Sequence, residues 1–423
     1  MFADYREYIG AIRDQKLFNV SGLDENRTEL MRPPLDGVRV IELAGIGPGP
    51  FCAMMLADHG AEVIRIDRPG GSDPVSQDES KDVLLRSRRS ITLDLKNPAS
   101  IEILLSLVDT ADGLIEGFRP GVVERLGLGP ETILERNPAL VYGRMTGWGQ
   151  DGPLAHLAGH DLNYLALTGC LAAIGPADQP PTPPLNLIGD YGGGGMLLAF
   201  GFTAALLAAR STGRGSVIDC NMLDGAAAMM AGIWSLRHND LWQGARGQNL
   251  LDGGAPFYRC FECSDGKFVA VGAIENIFYG RLIEALGLLD EPLFANQHDR
   301  TKWPAMSERL EAIFRSRRRE QWTVLLQDLD CCYSEVLTLD EVPQHPQNVE
   351  RGSYVAVDGL NQPRPAPRFL GASTVSATMW RRDSHRNEIL SELGYDRASI
   401  AALRKSGALG RDDDDDLLRT NHV

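Results

Sequence analysis

The sequence has no cysteine framework. Its seven cysteines are an odd number. Cys260 and Cys263 make one CxxC, and Cys331 and Cys332 are neighbours, but no second pair or histidine stands at ligand spacing. That argues against both a disulfide scaffold and a zinc site, and no metal is expected. Positive charge is also short. Against 57 acidic residues there are 42 basic ones, a formal net charge of −15, which argues against a general binder of nucleic acid or of an anionic membrane. Long apolar runs are missing as well. The most apolar stretch, residues 196–209, is about one buried helix long, so no membrane span is expected. Asp4, Glu7 and Asp14 in the opening residues argue against a secretory or transit leader. The closing Asn421-His422-Val423 is no peroxisomal address. The expected location is the cytoplasm. No internal repeat is present.

What is present is glycine, 45 residues of it, at the ends of short apolar runs. Val38–Leu43 reads as a strand, Ala44–Pro50 as a glycine turn, Phe51–His59 as a helix and Glu62–Ile66 as a second, parallel strand. The alternation continues with strands at 90–93, 113–116 and 140–144 and helices from 100 and 122. It predicts a doubly wound, Rossmann-like α/β domain. Residues 192–209 read as a buried helix led by glycines, 216–221 as a strand and 225–241 as helical. Tyr258–Cys263 and Lys267–Val271 flank Ser264-Asp265-Gly266, a hairpin signal, and helices follow to about residue 326. The organisation expected is a polar extension at 1–33 and a large α/β domain at 34–225, completed by about 360–400. A linker helix and linker follow at 226–256, then a smaller α+β domain at 257–345 and an acidic, disordered tail at 411–423. The proline-rich 361–370 reads as a return strand or strap.

Gly45-Ile46-Gly47-Pro48-Gly49-Pro50 after a strand, with Asp67 beyond, imitates a dinucleotide-binding turn. Position 50, where the third glycine belongs, is proline, and Pro48 and Pro50 lack the N–H groups that a pyrophosphate would use. A tight strand-to-helix turn is the better reading. Three polar patches end apolar segments beside glycine: Ala158–Tyr164 with His160, Leu187–Met196 with Asp190, and Val271–Asn276 with Glu275. By residue type alone each is more often structural than chemical.

Long consecutive motifs change that weighting: Pro34–Pro69, Asp94–Lys96, Ile115–Pro130, Arg144–Pro153, the GHDLNY and PPLNLIGDYGGGGM segments, Leu251–Tyr258, SDGKFVAVGAIE and Pro365–Phe369. Through them, over roughly residues 34–370, the chain resembles the family III CoA-transferase superfamily and, within it, the α-methylacyl-CoA racemases. The resemblance implies an interlocked homodimer whose site lies between the large domain of one subunit and the small domain of the other. It implies that the large domain binds coenzyme A as part of an acyl-CoA thioester substrate, with no separate cofactor. His160 and Asp190 become the two proton-handling groups, and Glu275 the support of the histidine. Arg68, Leu93, Asp94, Leu95, Lys96, Gly117, Phe118, Arg119, Arg125, Gly159, Asp161, Leu162, Asn163 and Tyr164 would line the coenzyme.

Moving the C2 proton of a thioester suits such a set. One group removes a weakly acidic proton while another returns one on the opposite face of the enolate, so the two must stand in opposite protonation states. Arg65, Arg86, Arg88 and Arg89 are further cations read as falling in or near the same loops and available to phosphates. The rival reading is a CoA-transferase in which Asp190 is a nucleophile. Against it, Leu251-Asp252-Gly253-Gly254-Ala255-Pro256 stands where formyl-CoA transferases carry a glycine loop.

Overall fold

A computed structural model describes residues 31–70, 78–373 and 375–409. The expected acidic tail and all but the end of the N-terminal extension lie outside them.

Strand β1 (Arg39–Leu43) enters helix α1 (Pro48–Asp58) through the glycine turn, and β2 (Glu62–Asp67) returns beside it. β3 (Arg88–Thr92), α2 (Pro98–Val108), β4 (Gly113–Glu116) and β5 (Val141–Thr146) continue the alternation. After α3 (Asp161–Ala166), a π-helical segment Leu187–Met196 runs straight into α4 (Leu197–Thr212), and β6 (Ser216–Asn221) closes the set. The six strands are all parallel, in the order β3-β2-β1-β4-β5-β6. The doubly wound expectation holds, and the strand order reverses between β1 and β4, where such sheets open a crevice at their carboxyl ends.

The strands are rich in Val, Ile and Leu because both faces are covered. Alternate side chains go to opposite sides. Ile41, Ile64, Ile91 and Leu114 pack with Ile103, Leu104 and Leu107 of α2. Val40, Val63, Ile115 and Val141 pack with Cys52, Ala53 and Leu56 of α1 and Leu198 and Phe202 of α4. Gly113 permits this second layer, since a Cβ there would lie 2.2 Å from the Phe202 ring.

Helices α5 (Met222–Met229) and α6 (Ala231–His238) lead away from the sheet. β7 (Tyr258–Glu262) and β8 (Phe268–Gly272) form the expected hairpin, with Gly266 at φ 72° in the bend. α7 (Asn276–Ala285), α8 (Trp303–Phe314) and α9 (Arg319–Leu326) cover it, and β9 (Tyr333–Glu335) adds a third strand. Phe257, Phe261, Phe314 and Trp322 are buried in this separate core. β10 (Tyr354–Val357) and β11 (Leu360–Pro363) then pair, so the proline-rich segment begins as one arm of a hairpin. α10 (Arg386–Glu392) and α11 (Arg397–Lys405) return to the first sheet, where Ile389, Leu390 and Ile400 join its core.

The helix expected at 192–209 is corrected in two ways. Its glycine-led half is the π-helix, a widened turn typical of functional sites. Its α-helical half is not buried within one chain, because Phe200 and Leu207, seven residues apart on one face, are each 73% exposed. The expectation of no span-length apolar segment also needs correction. Leu187–Thr212 forms one continuous helical stretch of 26 residues, long and apolar enough by length and composition to cross a membrane. The glycines of its first half nonetheless pack against α1 and α5, as a core helix does.

Candidate active site

The turn leaving β1 and the segment carrying Asp190 meet at the crevice. Gly47 sits at φ 69°, ψ −116°, a conformation that favours glycine. A Cβ on it would lie 3.1 Å from Asp190 Oδ2. The glycine turn that imitates a pyrophosphate cradle therefore faces a carboxylate. The run Gly192–Gly195 explains how Asp190 gets there. Cβ atoms at Gly193, Gly194 and Gly195 would come within 2.8 Å of the α5 backbone at Ala226, the Pro48 ring and the Pro48 carbonyl. Only a chain without side chains threads between α1 and α5. Tyr191 stacks on Phe51 at 4.7 Å between ring centres.

Asn186 Nδ2 donates to Asp190 Oδ2 at 3.1 Å. Burial raises the Asp190 carboxyl above the usual range; the Asn186 bond and the His160 ring pull it down, and the charge of Asp161 pushes it up. His160 thus acts electrostatically on Asp190 within one chain, and the structure brings the two together. His160 is the extended N-cap of α3, exposed, with its N–H donating to Asn163 Oδ1 at 3.0 Å. Asp161, the next residue, is buried and accepts the Asp190 N–H at 2.7 Å on Oδ1. Tyr164 donates its hydroxyl to the Gly159 carbonyl and packs edge-on against Trp148. Burial raises the Tyr164 phenol, the charge of Asp190 raises it further and that of Arg119 lowers it.

Glu275 is elsewhere. It is the exposed N-cap of α7, just beyond β8 on the smaller sheet, and its charge acts on the Cys332 thiol. Gln297 pins the backbone before it, donating to the Ala273 and Ile274 carbonyls at 2.8 Å each. No hydrogen bond or ion pair joins Glu275 to His160 among the described residues.

The cations divide. Arg68, Lys96, Arg119 and Arg125 are exposed. Arg65 instead lies between Glu42 (2.6 Å) and Asp67 (2.9 Å), Arg86 pairs with Asp58 at 2.5 Å, and Arg88 pairs with Glu42 at 2.5 Å. Arg89 is held by Glu62 and by Glu392 of α10. The availability expected of these four is corrected: each is bound to carboxylates, and three are buried. Arg86 precedes β3 and Arg88 and Arg89 open it, at the end of the strand away from its carboxyl edge. Leu93 is corrected as well, because its side chain is fully buried in the sheet core and its N–H donates to Asp67. Asp94 turns its carboxylate onto the Lys96 N–H. Phe118 is partly buried, its N–H donating to Glu116. Leu162 and Asn163 are exposed on the first turn of α3, and Gly117 on the loop after β4. Among the described residues, no group of three or more His, Cys, Asp or Glu side chains could hold a metal. A separate cavity of about 220 Å³ beside His59 and Pro367 lies at the far end of α1, roughly 16 Å from the crevice by helix length.

The profile of CoA-transferase family III matches residues 35–384. The chain belongs to that family. Two of its relatives are alpha-methylacyl-CoA racemases. The Homo sapiens protein is 44% identical over 374 residues, covering 87% of this chain and 96% of its own length. The Mus musculus protein is 43% identical over 373 residues, with the same coverage. A CAIB/BAIF family protein from Brucella suis has a similar solved structure, with TM-score 0.76 and 25% identity over 86% of this chain and 100% of its own.

Within this family III chain, sequence reasoning missed three features that shape the site. Asn186 holds the Asp190 carboxylate, Gly47 leaves room for it, and the Asp161 side chain binds the Asp190 peptide. The i, i+4 spacing of Asn186 and Asp190 was a usable signal. The other two contacts join segments distant in sequence and left none.

Proposed function

We propose that the chain interconverts (R)- and (S)-2-methylacyl-CoA thioesters. The observation that carries this is the hydrogen bond of 2.7 Å from the Asp190 N–H to Asp161, the residue after His160, which puts the histidine within electrostatic reach of a carboxyl that burial raises. In one direction the Asp190 carboxylate takes the C2 proton, the C–H electrons move into the thioester carbonyl, and the enolate is protonated on its other face by the His160 imidazolium. In the other direction neutral His160 is the base and protonated Asp190 the acid. The raised carboxyl fits a group that must hold a proton in half of its turnovers.

The enolate oxygen needs donors, and those at the start of α3 support the assignment. The N–H groups of Asp161 and Leu162 have no acceptor among the described residues; one such donor is typically worth about 3–4 kcal/mol in the transition state. Exposed Arg68, Lys96, Arg119 and Arg125 supply charge for the coenzyme's phosphates, with residues 94–96, 117–119 and 159–164 along its length. Glu275, exposed and rigidly seated, supports the His160 of a second copy in a homodimer. The apolar face of α4 around Phe200 and Leu207 is consistent with such a partner. The expected setting is the cytoplasm.

The test is C2 exchange in D2O with one enantiomer of a 2-methylacyl-CoA and no acceptor acid. Deuterium at C2 and decay of optical purity are expected. Absence of both, with CoA passed to a free acid, overturns this reading in favour of a transferase with Asp190 as nucleophile.

A further inference from the structure

Asp161 has a side chain that the chemistry above leaves unused. It follows His160 directly, yet its carboxylate turns inward and is 8% exposed. Oδ1 accepts the Asp190 N–H at 2.7 Å, and the carboxylate lies directly against Gly189. The seat is built for it, since a Cβ on Gly189 would stand 2.3 Å from Oδ1. Oδ2 is buried without a hydrogen-bond partner. Leaving a carboxylate oxygen unsatisfied costs free energy, so the arrangement persists because the fold holds it.

We propose that Asp161 is a positioning residue for proton transfer. By accepting the peptide N–H of Asp190 from the residue that follows His160, it fixes the two proton-handling groups at one separation. This rests on the racemase reading. The 29 residues 161–189 separate His160 from Asp190 in sequence, and a direct tie from the Asp161 side chain to the Asp190 peptide removes that slack. The physical demand is severe, because a 1 Å misplacement of a catalytic group is enough to lose about a hundredfold in rate. Here two groups must face one enolate from opposite sides.

The experiment compares Asp161→Ala, Asp161→Asn and Gly189→Ala with the parent protein, each as the full chain. It follows deuterium incorporation at C2 and inversion from a single enantiomer of a 2-methylacyl-CoA. Asp161→Asn keeps an acceptor oxygen of the same reach, whereas Asp161→Ala removes it. Gly189→Ala pushes the intact carboxylate away. The expected result is a fall in kcat on the order of a hundredfold in Asp161→Ala and Gly189→Ala, with KM within about threefold, and kcat within about tenfold of the parent in Asp161→Asn. The ratio of exchange to inversion should rise in the two loosened variants, because one group still exchanges the proton while return from the other face lags. A merely structural role would not move that ratio. Wild-type kcat in Gly189→Ala, or an unchanged exchange-to-inversion ratio, overturns the proposal. If Asp161→Ala does not fold, Gly189→Ala and Asp161→Asn decide. A parent protein with no C2 exchange at all instead overturns the racemase reading.

Discussion

Two regions flank β1, and they treat charge in opposite ways. Toward β2 and β3, Glu42 takes Arg65 and Arg88, Asp67 takes Arg65 and the Ser90 hydroxyl, and every member is buried. Toward β4, His160 is exposed, as are Arg119 and Arg125, and Asp190 is held by one amide donor. The first region is complete in itself, with charges satisfied by charges. The second is incomplete, its charges left for something that the chain does not supply. Arginines from neighbouring motifs fall on both sides of this line, and only burial and partner tell them apart.

The largest expected effect comes from breaking the closed region. Arg88 is fully buried, bonds Glu42, and donates to the Leu84 and Pro50 carbonyls, so it ties β3 to β1 and to the first turn of α1. Arg88→Ala leaves a buried carboxylate one partner short and removes a donor from each of two carbonyls. Removing one partner of a buried pair costs about 3–5 kcal/mol, against a total of about 5–15 kcal/mol for a folded protein. Urea unfolding should show that loss, or no folded protein at all. An unchanged midpoint would mean that the network is not structural.

The open region should instead respond to what completes it. His160→Ala, which removes a general acid–base group, and Glu275→Ala, which removes its support, are each expected to lose most activity, by roughly a hundredfold or more. Co-expressed in one cell, the two variants should regain about a quarter of parental activity. Half of randomly paired dimers are mixed, and each mixed dimer carries one intact site. No recovery in a preparation shown to contain mixed dimers would place His160 and its supporting carboxylate on one chain. A smaller effect follows at Arg119. Arg119→Ala should raise KM for the acyl-CoA about tenfold, worth about 1.4 kcal/mol, with kcat nearly unchanged and the unfolding midpoint within about 0.5 kcal/mol of the parent. A stability loss like that of Arg88→Ala would move Arg119 to the other side of the comparison.

The sheet was legible because its signal is local. Val38–Leu43 and Glu62–Ile66 are β-branched runs bounded by glycine, and their strands fall within a residue or two of expectation. The π-helix was not legible. Its glycines read as the start of an ordinary helix, and only packing against Pro48 and Ala226 explains why four are needed. The site was legible as residues through the resemblance, but not as geometry. Nothing in the spacing of Arg86, Arg88 and Arg89 says that carboxylates 27 to 303 residues away hold them. Glu42 and Asp58 carry no local signal of their partners, because pairing with an arginine from another strand or loop is a tertiary fact.

The finest probe of the open region is the pH profile at Asn186. Burial holds the Asp190 carboxyl above the usual range, and the Asn186 amide works against that shift by donating to the charged form. The other groups facing Asp190 are His160, whose charge lowers it, and Asp161, whose charge raises it, with Tyr164 and, beyond it, Arg119 near the same helix. In the direction where Asp190 is the base, kcat/KM falls as pH drops and the carboxylate takes a proton. That acid limb should lie above the range of an ordinary carboxylate. Asn186→Ala removes a donor that favours the charged form, so the limb should move to higher pH. In the reverse direction, where protonated Asp190 is the acid, the same substitution should extend activity toward higher pH. A limb that moves down, or that stays in place while His160→Ala abolishes activity, would mean that Asn186 supports the fold of the π-helix and not the charge of Asp190.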